Sequence, residues 1–448
     1  MKMKLRYVVT FILLSVLTGS AMYINSLLPI ITGYAAKNLA SAVFVSGRNA
    51  GDVEALDLNF SFIRYTSNEV DTIHKRVTSR FLWGKSVAIY RDGFGCTLLR
   101  DVDEEDLRSV KFPEIPPVNY RQDTVRWPMG NIVPDTTTGI DVEKLKHIAI
   151  NLVDKGTYGG HAFSFMVLHK GIPVAEKYSQ GINARTRLLS WSMAKSFTSA
   201  LAGIMVMNGT WDIQKPVDLA AWKNDNRKNI TINNLLQMQS GLKYNEDYGN
   251  RSDVTVMLHC ESDLARFAYS KPLEHEPGTF WYYSSGSTNI VNYLMRKSFT
   301  NDDDYYRFAT TQLFNRIGMP DAVFEVDASG TQVGSSYIYA TTRDYARFAL
   351  LYLNDGVFNG ERILPEGWVN YSRSIVPNTK GAYGAGFWLN QMGTYPSGPK
   401  NTFECRGHDG QRIFILPDKD LAVIVLGYSP KKSMDFDALL RDVQTALQ

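Results

Sequence analysis

Cysteine is scarce, with three in 448 residues: Cys96, Cys260 and Cys405. They are far apart and odd in number, and no Cys-x-x-Cys or Cys/His spacing accompanies them. A zinc-built or disulfide-built scaffold is therefore excluded. One disulfide stays open in an exported chain, with its pairing undetermined. Long runs of one charge are also lacking. Forty-eight basic residues stand against 45 acidic ones, for a net charge of +3. No basic stripe interleaved with aromatics occurs, which argues against nucleic acid as a partner. Low-complexity tracts and fixed-period repeats are missing too, which sets aside disordered tails and solenoids. What is present is 44% hydrophobic content on a chain long enough to bury a large core and to exceed one simple domain.

One stretch departs from this even mixture. Lys2, Lys4 and Arg6 precede a run from Tyr7 to Ala36 without a charged residue. Tyr7 to Leu17 has the length and apolarity of a signal h-region, and Gly19-Ser20-Ala21 offers a cleavage site. The apolar character continues through Leu27, Leu28, Pro29, Ile30 and Ile31, long enough to cross a bilayer at roughly 20 residues. The flanking cations keep the N-terminus in the cytoplasm. Residues 1–37 thus read as an uncleaved signal anchor or a cleaved signal peptide. In both cases the remainder is exported, anchored on the periplasmic or extracellular side of the membrane or secreted.

Residues 38–120 read as a small accessory region. Short strands are expected at Ser86 to Tyr90 and Cys96 to Leu99 around Asp92-Gly93, and a linker at Pro113 to Pro117. The rest, 135–448, reads as one catalytic unit. A helix is expected from Asp141 to Val153, then a hairpin of Ala162 to Leu168 and Pro173 to Tyr178. A helix follows from Ser192 to Met207, stopped by Asn208-Gly209. Residues 216–330 look mostly helical. A helix at Thr342 to Leu353, a hairpin of Arg412 to Leu416 and Leu421 to Leu426, and a helix from about Asp435 to Leu447 close the chain. Strands at both ends with helices between predict an α+β fold: an antiparallel sheet flanked by helices, with a mostly helical insertion.

Three short motifs carry chemistry. Ser192-Met193-Ala194-Lys195 opens an apolar helix, whereas the other Ser-x-x-Lys matches (Ser240/Lys243, Ser397/Lys400, Ser429/Lys432) do not. Residues i and i+3 share a helix face, so hydroxyl and amine can meet. A serine is a poor nucleophile until a neighbour takes its proton, and a lysine can do so once its pKa is lowered. Tyr283-Ser284-Ser285-Gly286 follows a turn and leads into a helix expected near Thr288; a phenol beside ammonium groups can relay a proton. Gly407-His408-Asp409-Gly410-Gln411 stands ahead of a strand. His408 is a candidate to bind a carboxylate or tune Tyr283. The N–H groups of Gln411 and Ser192 are candidates for an oxyanion hole. Each motif alone also fits an ordinary capped helix, a half-buried aromatic or a surface turn.

Their order, Ser-x-x-Lys, then Tyr-x-Ser, then a basic residue and glycine before a C-terminal strand, resembles the penicillin-binding and class C β-lactamase-like serine hydrolases. Asn208 to Asp212, Ile230 to Leu236 with Ser240-Gly241-Leu242, Ala340 to Phe348 and Tyr383 to Phe387 extend the likeness over roughly residues 140–448. It looks closest to the esterase and 6-aminohexanoate-dimer hydrolase branch. The resemblance implies that Ser192 is acylated, Lys195 is its base and Tyr283 shuttles the proton. It implies that Ser285, His408, Gly410 and Gln411 contact substrate. Histidine stands at 408 where penicillin-recognising relatives carry lysine, which argues against recognition of a β-lactam carboxylate. No cofactor or metal is implied, and His259, Cys260 and His275 lack a second paired motif. The expected substrate is a small ester, amide, lactam or peptide-like molecule, with the membrane met through the N-terminal segment. A catalytically silent relative that binds peptidoglycan fragments or a protein, and an acyltransferase, are the competing readings.

Overall fold

The computed structural model describes residues 2–134, 139–428 and 434–447. Residue 135, the expected start of the catalytic unit, and the pair Ser429/Lys432 lie outside the described residues. Helix α1 covers Lys2–Phe44. Four strands follow it, β1 (Ser67–Asp71), β2 (Arg76–Phe81), β3 (Gly84–Arg91) and β4 (Gly95–Leu98), and they form one antiparallel sheet in that order. The pair β3 and β4 matches expectation. The pair β1 and β2 does not announce itself, because both strands are mostly polar and apolar residues do not alternate along them.

Helix α2 (Val142–Val153) precedes the hairpin β5 (His161–His169) and β6 (Ile172–Tyr178). The C-terminal part supplies β7 (Trp388–Leu389), β8 (Phe403–Arg406), β9 (Arg412–Leu416) and β10 (Leu421–Tyr428). These form one antiparallel sheet in the order β7-β8-β9-β10-β5-β6, so the two chain halves join where β10 pairs with β5. Alternation along β10 sorts its side chains. Leu421, Val423 and Val425 pack with α2 and the C-terminal helix Phe436–Thr445, through Leu145, Leu152, Phe436 and Leu439. Ala422, Ile424 and Leu426 face the other way, into the core that holds α3 (Ala194–Met207). A fully buried aliphatic side chain contributes about 1.5–3 kcal/mol, so this strand is a main source of stability. The insertion is helical, as expected, with Asp253–Cys260, Leu264–Tyr269 and Ser285–Lys297 among its elements. The architecture is the anticipated α+β one.

The N-terminal segment holds a difference from expectation. The boundary drawn between residues 37 and 38 falls inside α1. Tyr7 to Asn25 is exposed, whereas Leu28, Ala35, Ala36, Leu39 and Ala40 are buried. The small residues let the helix lie close on the four-stranded sheet, against Val77, Ala88 and Cys96. A Cβ on Gly84 would stand 2.6 Å from that of Leu28, so only glycine fits there. Lys37 forms a buried ion pair with Glu325, and Glu325 also accepts from the Ser41 hydroxyl at 2.8 Å and the Cys96 N–H at 2.7 Å. Arg100 binds the carbonyls of His259 (2.7 Å) and Pro29 (3.1 Å). The second half of α1 is therefore bolted to the catalytic unit. All three cysteines are free.

Candidate active site

The chain reaches Ser192 through an unusual turn. Trp191 is buried, with a φ of 46°, a left-handed conformation that costs a bulky side chain of order 1–3 kcal/mol. Its ring stacks on Tyr34 of α1 and meets Tyr337 and His408. A 3₁₀ turn over Trp191–Met193 then runs into α3, placing Ser192 at the helix entrance, half-buried, where the helix dipole favours negative charge.

Lys195 lies one turn on and is buried. Its Nζ is 3.0 Å from each of three oxygens: Ser192 Oγ, Ser285 Oγ and the Ser335 carbonyl. Hydrogen-bond directions follow from elimination. The Ser335 carbonyl can only accept. The Ser285 hydroxyl donates to Glu246 Oε1 at 2.5 Å, and its own N–H donates to Glu246 Oε2 at 2.8 Å. Ser285 Oγ must then accept from Lys195. As an ammonium Lys195 donates to all three oxygens; once deprotonated, it keeps two N–H groups for Ser285 and Ser335 and turns its lone pair to the Ser192 proton. Burial pushes the Lys195 pKa down to about 8, with Glu246 pulling in the opposite direction. Burial raises the Glu246 carboxyl, against the pull of Lys195 and the Ser285 hydrogen bonds.

Ser285 is the first residue of the helix Ser285–Lys297, capped by the Ser284 hydroxyl, so that helix starts three residues before the expected Thr288. Tyr283 precedes the cap. Its ring lies 4.9 Å from Lys195 Nζ and packs on Trp388 and Tyr383. Burial and Glu246 raise its phenol well above the ordinary value, while a hydrogen bond with Ser192 and the nearby Arg406 pull it down. Tyr283 thus keeps its proton at rest. The second cation beside it is Arg406, which rests over Trp388 and binds Glu404.

The third motif needs correction. His408 is exposed, pairs with Asp409 at 3.2 Å and stacks on Tyr248. It faces the rim of the cleft, and the cation whose charge bears on Tyr283 is Arg406. Gln411 is buried, and its side chain binds both the N–H (3.0 Å) and the carbonyl (2.7 Å) of Gly427, where β10 shifts register. Its own N–H donates to the His408 carbonyl at 3.3 Å. Gln411 therefore holds the turn together through its side chain. Gly410 takes a φ of 84° within that turn, a role of backbone shape. Gly407 is the close contact: a Cβ there would stand 2.4 Å from the Ser190 carbonyl. Sequence reasoning missed Glu246, Ser335 and Arg406. Only the position of Arg406 beside the Gly407 motif could have signalled one of them.

A serine hydroxyl 3.0 Å from a buried lysine amine on this α+β frame is the arrangement of a serine hydrolase, and the relatives of this chain support that class. The chain belongs to the beta-lactamase family: the family model described as Beta-lactamase matches residues 149–446. The 6-aminohexanoate-dimer hydrolase of Paenarthrobacter ureafaciens is 24% identical over 298 residues, covering 60% of this chain and 72% of that protein. A family VIII carboxylesterase shares the fold with a TM-score of 0.53 at 14% identity, over 68% of this chain and 97% of its own. The octameric penicillin-binding protein homologue of Pyrococcus abyssi does so with 0.52 at 17%, over 69% and 77%.

Proposed function

We propose that the protein cleaves an ester, amide or lactam carbonyl through an acyl-enzyme on Ser192, and that it does so anchored in a membrane. The observation that carries the chemistry is the buried Lys195 Nζ 3.0 Å from Ser192 Oγ, with Ser285 and Ser335 as its other partners, so that the deprotonated amine has its lone pair left for Ser192. As Ser192 Oγ attacks the carbonyl carbon, its proton passes to Lys195 Nζ. The carbonyl oxygen becomes an oxyanion. Gly407 N–H donates to the Gln411 carbonyl, and Gln411 N–H to the His408 carbonyl. The Ser192 N–H at the helix entrance is the donor best placed to receive the oxyanion. The intermediate collapses as the leaving alcohol or amine takes the Tyr283 proton, and the Lys195 ammonium restores it. Water then repeats the sequence on the acyl-enzyme and frees the acid.

The anchor reading rests on α1. Tyr7–Phe44 is one helix long and apolar enough to cross a membrane. Its exposed part, Tyr7 to Asn25, extends about 28 Å at 1.5 Å per residue, close to a hydrocarbon core of about 30 Å. Lys2, Lys4 and Arg6 hold its start in the cytoplasm, which puts the catalytic unit outside. The test is intact mass of the full chain in detergent after exposure to a fluorophosphonate. One adduct mapping to Ser192 and lost in Ser192→Ala is expected. A folded protein that takes no adduct would overturn the reading in favour of a silent binding relative.

A further inference from the structure

A cavity of about 510 Å³ lies between α1 and the catalytic unit. This is within the size range of ligand sites, roughly 300–1,000 Å³. One wall is α1 from Tyr23 to Tyr34, with Leu27, Ile30 and Ile31; Phe60 and Phe62 close it on the accessory side. Along the helix axis this wall runs about 16 Å. The opposite wall is polar, with Tyr248, Asn250, His408 and Asp409, and Tyr248 bonds to Glu246 and Ser285 beside Lys195. Tyr34 stacks on Trp191, the neighbour of Ser192, and His408 stacks on Tyr248. The apolar wall comes from residues 23–63, outside the part of the chain that the family model matches.

The near end of the groove coincides with the end of the exposed span. Tyr23 lines it, and Asn25 accepts from Trp83 Nε1 at 3.0 Å. Trp83, Leu82 and Phe62 are large and exposed, around the place where the helix would leave the bilayer. Aromatic side chains favour that depth. The apolar mouth is therefore level with the membrane surface, and the polar wall borders the neighbours of the nucleophile, Trp191 through Tyr34 and Ser285 through Tyr248.

We propose that this groove takes the acyl chain of a bilayer-embedded amphiphile, a long-chain ester or amide, and lays its carbonyl at Ser192. The proposal rests on the anchored acyl-enzyme reading above. The substrate's chain stays in apolar surroundings from lipid to site, shielded by α1, and only its polar linkage meets Lys195 and Tyr283.

The experiment uses the full chain in phospholipid nanodiscs with p-nitrophenyl esters from acetate to laurate. A rise in kcat/KM of about tenfold or more with chain length is expected, since each buried methylene is worth about 0.8 kcal/mol. Ile31→Trp, which fills the groove, should cut laurate turnover about tenfold and leave acetate turnover within about twofold. Equal loss on both esters, or an unchanged ratio, would overturn the proposal. A second measurement needs no variant: an alkyl fluorophosphonate with a diazirine at the chain end is attached to Ser192 and irradiated. Crosslinks within residues 23–34 or 57–63 support the groove; crosslinks confined to Trp281 and Trp388 contradict it. Absence of both acetate turnover and Ser192 labelling would overturn the hydrolase reading itself, whereas acetate turnover without chain-length dependence would overturn the groove alone.

Discussion

Two buried lysines, one in each region of the molecule, sit in similar frames and do different things. Lys37 on α1 lies 4.0 Å from the Tyr337 ring and 3.0 Å from Ser41 Oγ. Lys195 lies 4.9 Å from the Tyr283 ring and 3.0 Å from Ser192 Oγ. Each has a tyrosine face and a serine on the same helix. The difference is the carboxylate. Glu325 bonds Lys37 directly, and the pair closes the joint between α1 and the catalytic unit. Glu246 reaches Lys195 only through the Ser285 hydroxyl, and the position next to Ser192 stays open for a proton. One inserted hydroxyl separates a closed ion pair from the proposed base.

The largest expected effect breaks the open site. Ser192→Ala should lower kcat/KM by about 10⁴-fold or more, with an unchanged thermal midpoint, because the hydroxyl contributes chemistry and little packing. Hydrolysis assays beside thermal melts check both halves. Breaking the closed pair should do the reverse. Lys37→Met leaves Glu325 buried without its cation and should cost about 3–5 kcal/mol of stability, read from denaturant unfolding. Turnover per folded molecule should hold, and adding Glu325→Gln should restore part of the loss. If Lys37→Met left stability intact, the joint would not depend on this pair.

Tyr283→Phe should lower kcat by about 10²–10⁴-fold for amides, and less for esters with good leaving groups, because the phenol supplies the leaving-group proton. A uniform loss across leaving groups would contradict that role. The smallest effect sharpens the comparison most. Glu246 favours the ammonium form of Lys195, so Glu246→Gln should move the acid limb of kcat/KM, expected near 8 in the parent, to lower pH. The sign follows from charge: removing a nearby anion makes the amine easier to deprotonate. A limb that stays in place would mean Glu246 acts only by holding Ser285.

Much of the catalytic unit is legible in the sequence because its signals are local. Thr342–Leu353 shows helical spacing and a capping Thr341, and its bounds emerge as expected. The pairing of Ser192 with Lys195 follows from helix geometry alone. Glu246 is different. It lies 39 residues before Ser285, in the loop Asn245 to Asn250, and nothing near it marks a partner. Gln411 misleads for the opposite reason: its place in a glycine-rich motif suggests exposure, whereas Gly427, 16 residues on, supplies a matched donor and acceptor that draw it inward. Helix α1 hides its division because lipid and a protein sheet ask for the same apolar residues. Only burial against Val77, Ala88 and Cys96 separates its second half from its first.

The most direct measurement is the rate of Ser192 phosphonylation as a function of pH, in the parent and in Lys195→Ala. The rate should rise with pH through a single ionisation near 8 and then level off, as Lys195 becomes neutral. In Lys195→Ala that ionisation should vanish and the rate should fall by at least about 10²-fold. An identical pH profile in the two proteins would contradict Lys195 as the base that activates Ser192.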